Sequence, residues 1–530
     1  MIDARDSEVS LGSVGRSALI LTVGAAAVQV IGIVRELFVA AQVGVSSELD
    51  ALLIALVLPT SLSGLLTIGT VTALVPAYIE ARTNRGRAEA QRLTGAILVW
   101  VGLAGLIVAL GLASLAGWAI AITGPGLNPT DQAAAVGYLQ LLAPVAFVAA
   151  VTGILYAICQ AEERFAAIAW ATLAGSVTTA GTLLLLWPQL RLGALALGNL
   201  IGPVVTVSLL LAALIRGSLV PRPTLSVRGL ELGGFVRHAA PLTLSAVIGQ
   251  FNVIADRAIA SLLAPGAVSM LRYGEVLVRT PISAISPAWG SALYPALVRA
   301  AHGDSGGSLA SATSRSLQYS IAVFVPLAAI TAAVAPVAVE VAFARGAFAS
   351  NDIDATARVV AAFAPLIVIL MTSPVLAGAH NARRSGTILL AGGTLNAILN
   401  FALDVVFGAA IGVAGIALSS SVTSTIVVLF FLRRLKKSEP TFDLQKIGRT
   451  AMLATISSVP PALVIGFIAW SGAVPHGTAP GLAALGILGS TGLLGYIWLA
   501  GRLGLEEPRR LVAIGASGMA RMTERIGLRR

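Results

Sequence analysis

Apolar residues in this chain come in long runs broken by short polar stretches, and the runs have the length of bilayer spans. A membrane-crossing helix needs about 20 mainly apolar residues. Fourteen segments meet that length, at residues 17–43, 51–79, 93–123, 134–158, 166–188 and 193–215, then 239–264, 267–298, 316–343, 356–379, 387–409, 411–432, 450–471 and 480–501. The pattern predicts an all-α polytopic membrane protein of about 14 transmembrane helices. The first run follows Asp3, Arg5, Asp6 and Glu8, exceeds a signal-peptide core in length and carries Arg35 in its second half. It reads as a retained first helix rather than a cleaved leader.

The pattern also repeats. Arg35, Gly44 and Pro59 recur as Arg257, Gly266 and Pro281, each 222 residues on, within the runs IVRELFVAAQVG and ADRAIASLLAPG. Each arginine precedes its glycine by about 14 Å of helix at 1.5 Å per residue. With the glycine at the outer membrane edge, both arginines are expected near the middle of a core about 30 Å thick. Six spans separate the copies, so they share one orientation, as in parallel repeats related by an axis along the membrane normal. The expected organisation is a six-span lobe over residues 1–230, a second over 231–437, and a closing segment, 438–530, with two added spans and a basic cytoplasmic tail. Residues 216–238 form the longest polar connection, and the basic stretch from Arg433 to Arg449 closes the second lobe. The tail mixes Leu511, Val512, Ile514, Met519, Met522 and Ile526 with arginines, which suits either an interfacial helix on anionic membrane lipids or a plain solvated tail. The second span of each lobe carries prolines, Pro59 and Pro76 in one, Pro281, Pro287 and Pro295 in the other. Each interior proline removes a backbone hydrogen bond and bends its helix, and carbonyls freed at membrane depth find partners most readily beside a cavity.

Composition agrees with the pattern: 57% hydrophobic and 11% charged residues, with a mean hydropathy of +0.90. The net charge of +11 would suit a nucleic-acid partner if it were clustered on a soluble surface. Instead 28 of the 35 basic residues fall in segments on one side of the spans, the positive-inside arrangement, so basic charge here encodes orientation. Both termini are placed in the cytoplasm, and no nucleic acid is expected. Cys159 is alone, which excludes an internal disulfide. His238, His302, His380 and His476 have no metal-ligand spacing, and none of Lys436, Lys437 and Lys446 follows the glycine of a P-loop. No metal, cofactor or catalytic residue is expected.

Charge at membrane depth is costly and marks function by default. The ionisable residues in or near spans are Arg35 and Glu36, Asp256 and Arg257, Arg272, Glu275 and Arg279, Glu340, Arg358 and Asp404. Arg272, Glu275 and Arg279 share one helix face by spacing and can pair. A cavity lined by arginines would suit phosphate or carboxylate, because guanidinium offers a fixed fork of donors and keeps its charge. Arg35 and Arg257 are expected to face substrate from opposite lobes, with Glu36 and Asp256 holding them between states. Arg358, Glu340 and Arg279 read more simply as ion pairs or as residues near helix ends. Asn396, Asn400 and Asp404 form one polar stripe, either a cation site or interhelical hydrogen bonding, the second being preferred.

Three stretches carry a family resemblance: RELFVAAQVGVSSELDALLIALVLPTSLSGLLTIGTVTALVPAY, ADRAIASLLAPGAVSMLRYGEVLVRTPISAISPAWGSALYPAL, and the run Arg345 to Phe348. In their order and spacing they resemble the MurJ/MviN lipid II flippases of the multidrug/oligosaccharidyl-lipid/polysaccharide exporter superfamily, and the likeness extends over essentially the whole chain. The resemblance implies two six-helix lobes around a cationic cavity, two added helices forming a groove for the lipid tail, alternating access, and a role in peptidoglycan synthesis at the bacterial inner membrane. Arg35 followed by Glu36 matches the family's arginine–aspartate pair. Where the family carries paired arginines after the proline of its second helix this chain has Ser63 and Gly64, and Val276 replaces a further arginine. Arg257, Arg272 and Arg279 are the arginines at hand to take their part.

The expected function is therefore a flippase carrying lipid II, or a similar undecaprenyl-pyrophosphate-linked oligosaccharide, from inner to outer leaflet. An inside-negative potential favours outward movement of an anionic head group by about 2.3 kcal/mol per charge per 100 mV, and a coupling ion is compatible with the sequence. Three other readings stand beside it. An ion-coupled exporter of cationic drugs would want unpaired acids facing a cavity. A membrane glycosyltransferase would need an outer-face carboxylate from among Glu48, Asp50, Asp131, Asp352 and Asp354. A transport-inactive scaffold would tolerate the missing arginines.

Overall fold

The structure, a computed structural model, describes residues 4–226, 232–302, 308–383 and 385–508, with side chains described at 20–67, 69–226, 247–286, 289–290, 308–383 and 385–508. The tail from Arg509 onward, read from the sequence as an interfacial helix or a solvated tail, Arg384 and the centre of the 216–238 connection lie outside the described residues.

The described residues form α-helices and no strand: α1 (Ala4–Val43), α2 (Ser47–Arg85), α3 (Arg87–Ser114), α4 (Ala116–Thr123), α5 (Pro129–Leu142), α6 (Pro144–Ala161), α7 (Phe165–Leu190), α8 (Leu192–Arg216), α9 (Leu232–Ser261), α10 (Ala267–His302), α11 (Leu309–Ala333), α12 (Ala335–Phe343), α13 (Ser350–Phe363), α14 (Leu366–Ala382), α15 (Gly386–Ile411), α16 (Val413–Ser438), α17 (Leu444–Trp470) and α18 (Thr478–Arg502). Twelve stretches of the described residues are long and apolar enough to cross a membrane. The two other expected spans fall on α9 and α10, which include side chains outside the described set. The chain is thus an all-α, multi-pass membrane protein, with large apolar side chains such as Trp118, Leu185 and Phe467 left more than three-quarters exposed for lipid to cover.

Four of the expected spans are broken, and the breaks repeat like the sequence. The third span divides between α3 and α4 at Leu115, and its counterpart divides between α11 and α12 at Val334. The fourth divides between α5 and α6 just before Pro144, and its counterpart between α13 and α14 at Ala364 and Pro365. At the fourth-span breaks proline sits where a new helix begins, which removes an N–H that a continuous helix would need.

The chain folds as two compact units, Met1–Val39 with Ser46–Ser269, and Ala40–Val45 with Met270–Arg530. This division does not follow the repeat, because α9 packs against α2 and so belongs with the first unit. In the first unit, α2, α3, α6, α7 and α8 share a core that includes Leu74, Tyr78, Ile97, Ile158 and Leu210. Tyr78 donates to Glu162 at 2.6 Å, and Arg82 pairs with the same carboxylate. In the second unit, α17 packs on α11, and Tyr496 of α18 donates to the Ala322 carbonyl at 2.7 Å. The two added helices are thereby tied to α11 through Ala454, Tyr496 and Ala500. Asp443 caps α17 by accepting from the Lys446 amide at 3.0 Å, and that backbone hydrogen bond holds its carboxyl below the usual aspartate range.

Candidate functional site

The expected site residues lie on α1, α9 and α10. Arg35 and Glu36 are consecutive on α1 and pair at 3.3 Å, with the arginine side chain a quarter exposed. Asp256 and Arg257 lie in the last turns of α9, where Arg257 is buried. The sequence predicts these two pairs in opposite lobes, but all four residues belong to the first unit. Arg272, Glu275 and Arg279 lie on α10 within the second unit. The predicted pairing along that face is present between Glu275 and Arg279, at 3.0 Å.

The two copies of the repeat differ in how far each arginine stands from the end of its helix. Helix α1 runs to Val43, immediately before Gly44, so Arg35 stands about 12 Å from the helix end at 1.5 Å per residue. Helix α9 stops at Ser261, five residues short of Gly266, so Arg257 stands only about 6 Å from its helix end. The continuous helix up to both glycines that the spacing argument assumes is therefore corrected for the second copy: residues 262–266 form a turn, not helix. The turn is held by Ser261, whose hydroxyl accepts from the Gly126 amide at 3.1 Å.

Gly44 and Gly266 have a common purpose that spacing alone does not show. Both have positive φ, +64° and +85°, a region that side-chain-bearing residues enter only with strain. After Gly266, α10 begins, and its N-terminus is capped from another helix. Asp50, in the first turn of α2, accepts from the Gly266 amide at 2.7 Å and from the Ser269 amide at 2.6 Å, and is only 2% exposed. Asp50 is thus no outer-loop acid. Glu48, Asp131 and Asp352 likewise occupy first turns of helices, where negative charge complements the helix dipole.

The end of α1 and its turn, Ala40–Val45, fold with the second unit. There Ala347 donates to the Ala41 carbonyl at 2.8 Å, and the Tyr273 hydroxyl donates to the Gly44 carbonyl at 3.1 Å. Tyr273, Phe343 and Phe348 pack as a ring cluster with centroids 4.8 to 5.7 Å apart. The Arg345 to Phe348 run therefore acts through its glycine and phenylalanine, since among the described residues the Arg345 guanidinium bonds one turn back, to the Val341 carbonyl at 2.6 Å.

The remaining membrane-depth charges are engaged locally. Glu340 meets His476 Nδ1 at 2.8 Å, and Arg358 Nε donates to the Asp354 carbonyl at 3.3 Å. Asn400 donates to Asp404 at 2.8 Å within α15, and Ser419 of α16 donates to the same buried carboxylate. Asp404 of the polar stripe is thus engaged in interhelical hydrogen bonding through Ser419, while its bond with Asn400 stays within α15. Asp404→Ala is expected to lower stability by about 0.6–2 kcal/mol, the range for such bonds between membrane helices, and Asp404→Asn by less; thermal unfolding of the purified protein in detergent measures both. Of the positions that depart from the family pattern, Ser63 bonds back to the Pro59 carbonyl at 2.6 Å. A Cβ at Gly64 would lie 3.8 Å from Gln250 Nε2 of α9.

An all-helical, multi-pass protein with an internal repeat and arginines on membrane-embedded helices belongs to the transporter class of membrane proteins. The family model described as lipid II flippase MurJ matches residues 39–480, and the chain belongs to that family. It is 24% identical over 442 residues to a probable lipid II flippase MurJ of Thermotoga maritima, covering 83% of this chain and 89% of that one. It is 27% identical over 452 residues to the lipid II flippase MurJ of Burkholderia cenocepacia, covering 80% and 86%. Among solved structures, one described as lipid II flippase MurJ in an inward closed conformation matches with a TM-score of 0.77 at 18% identity, over 93% of this chain and 100% of that one. A multidrug resistance MATE family transporter in an inward-facing conformation matches at 0.59 and 15% identity, over 78% and 96%, a likeness of fold alone. The chain is accordingly a multi-pass protein of the bacterial inner membrane, in a family of flippases for a lipid-linked substrate.

Proposed function

We propose that this protein translocates lipid II, or a closely similar undecaprenyl-pyrophosphate-linked oligosaccharide, from the inner to the outer leaflet by alternating access, without covalent chemistry on the substrate. The observation that carries the reading is the family match across residues 39–480, supported by Arg35 paired with Glu36 on α1. Arg35 is the phosphate contact: its side chain is partly exposed, and a guanidinium uses one acid neighbour while keeping donors for a second. Glu36 holds it when no pyrophosphate is bound. Arg257, buried in this state, takes a phosphate when α9 exchanges its surroundings during transport, with Asp256 as its resting neighbour. Arg272, Glu275 and Arg279 of α10 are further residues of substrate contact. Both termini lie in the cytoplasm, where anionic lipids meet the basic segments, and the membrane potential or a coupling ion supplies direction.

The test is reconstitution of the full-length protein in liposomes loaded with lipid II, scoring outward exposure of the head group. Arg35→Ala is expected to slow exposure at least about tenfold, the worth of one charge-assisted hydrogen bond, with Arg35→Lys intermediate because it cannot form the fork. Arg35→Ala and Arg257→Ala proteins that expose lipid II at the wild-type rate would sink the assignment of these residues. A wild-type protein inactive on lipid II but active on another lipid-linked sugar would sink the cargo.

A further inference from the structure

A second arginine cluster lies within the first unit where α3 begins and α8 ends. The segment after α8 does not leave as a free linker. Its Arg222 amide donates to the Gln91 carbonyl of α3 at 3.0 Å, and Gln91 Nε2 returns a bond to the Ser218 carbonyl at 2.8 Å. The approach is so close that a Cβ on Gly95 would fall 1.7 Å from the Arg222 carbonyl oxygen. Arg87, the first residue of α3, donates from one terminal nitrogen to the Gly217 and Ser218 carbonyls. This strap and the start of α3 border an open surface hollow of about 570 Å³, lined by Arg87, Gln91, Ser218 and Arg222 with Val220, Pro221 and Pro223.

The chemistry of the hollow is that of a phosphate site. Among the described residues neither Arg87 nor Arg222 has a carboxylate within salt-bridge distance. The bonds of Arg87 engage a single terminal nitrogen and leave the donors of its other two nitrogens for an anion. Arg222 is fixed through its backbone while its side chain stays exposed, so its guanidinium can close on a ligand at no cost to the strap. The surroundings favour a lipid over a free ion. Ile215 and Leu225, which flank the hollow in sequence, are 58% and 70% exposed, a placement suited to the boundary between head groups and acyl chains.

We infer that this hollow binds the phosphate of an anionic phospholipid head group in the cytoplasmic leaflet, with Arg87 and Arg222 as its two cationic contacts. The inference rests on the orientation proposed above and is independent of the transported cargo. Its structural consequence is that a bound lipid fastens the strap to α3 and so anchors the beginning of the connection between the two repeats.

The experiment is native mass spectrometry of the full-length protein exchanged into micelles containing phosphatidylglycerol, phosphatidylcholine or inorganic phosphate without lipid. Wild type is expected to retain phosphatidylglycerol preferentially, and Arg222→Gln to reduce that retention about fivefold, the usual worth of one basic residue near an anionic surface. Arg222→Lys should hold most of it. Arg434→Gln, which alters an exposed arginine at the end of α16, should leave it unchanged, and a variant with a folding defect is recognised by its loss of detergent-stable monodisperse protein rather than by lipid loss alone. Equal retention by Arg222→Gln and wild type overturns the site, and equal losses in Arg222→Gln and Arg434→Gln reduce it to diffuse charge and overturn it too. Arg222-dependent binding of inorganic phosphate with no preference among lipids overturns the lipid assignment.

Discussion

Replacing Gly346 with alanine is expected to unseat the loop between α12 and α13 from the end of α1. Gly346 has a φ of +60°, and a Cβ built there would lie 2.0 Å from the Ala41 carbonyl oxygen. That is backbone, not a flexible side-chain tip, so the loop must retreat. Retreat breaks the bond from the Ala347 amide to the same carbonyl and separates Phe348 from Tyr273. The left-handed conformation alone costs a side-chain-bearing residue about 1–2 kcal/mol, and the lost hydrogen bond adds about 0.5–1.5 kcal/mol. A combined loss of about 1.5–3.5 kcal/mol is a large share of a protein's stability. Thermal unfolding of the purified variant in detergent measures it. The same clash predicts that Gly44→Ala, whose Cβ would meet the Ala347 carbonyl oxygen at 2.3 Å, falls in the same range. Wild-type unfolding for both variants would show that the loop and the α1 end are not held by these contacts.

The second large effect is expected at Asp50. Its carboxylate is the acceptor for two amides at the start of α10, Gly266 and Ser269, and it is almost wholly buried. Asp50→Ala leaves both amides without that partner, at about 1–3 kcal/mol each, and also removes negative charge from a helix N-terminus, where it is favourable. Asp50→Asn keeps an acceptor oxygen for one amide and should lose roughly half as much. The order wild type, Asn, Ala in thermal midpoint is the expected result, and activity in the liposome assay should follow that order because α10 carries Arg272, Glu275 and Arg279. An Asp50→Ala protein as stable as wild type would mean that the cap does not hold α10. A glycosyltransferase would instead lose activity in Asp50→Asn with stability intact, which the capping geometry does not predict.

Asp50 shows where the sequence stops being legible. In the chain it is one acid among several near the start of an apolar run, and its position suggests an outer loop. Only folding places it against residues more than two hundred positions away. The Arg345 to Phe348 run is recognisable as a family feature, yet its arginine is the conspicuous residue while its glycine makes the contact. Gly44 and Gly266 stand out by repetition, and their shared positive φ explains why glycine recurs there. Spacing puts their arginine neighbours at equal depth only if helix runs up to both glycines. It does so in α1 and stops at Ser261 in α9, where a turn over residues 262–266 follows.

The helical, membrane-spanning character, the repeat, the short list of charged residues at depth and the family are all written in the chain. The first and third follow from a general rule: a bilayer admits backbone only as hydrogen-bonded helix here, and charge is too costly at depth to be scattered. Which residues hold one another is settled only on folding. The broken helices at Leu115 and Val334, the Asp50 cap, the closure of the Arg345 to Phe348 run on the end of α1, the docking of the strap on α3 and the membership of α9 in the first unit are matters of tertiary structure. Contacts between distant segments leave no periodic trace, because a single hydrogen-bond acceptor or a missing Cβ acts at one position, whereas the apolar pattern that fixes a helix is written over about twenty.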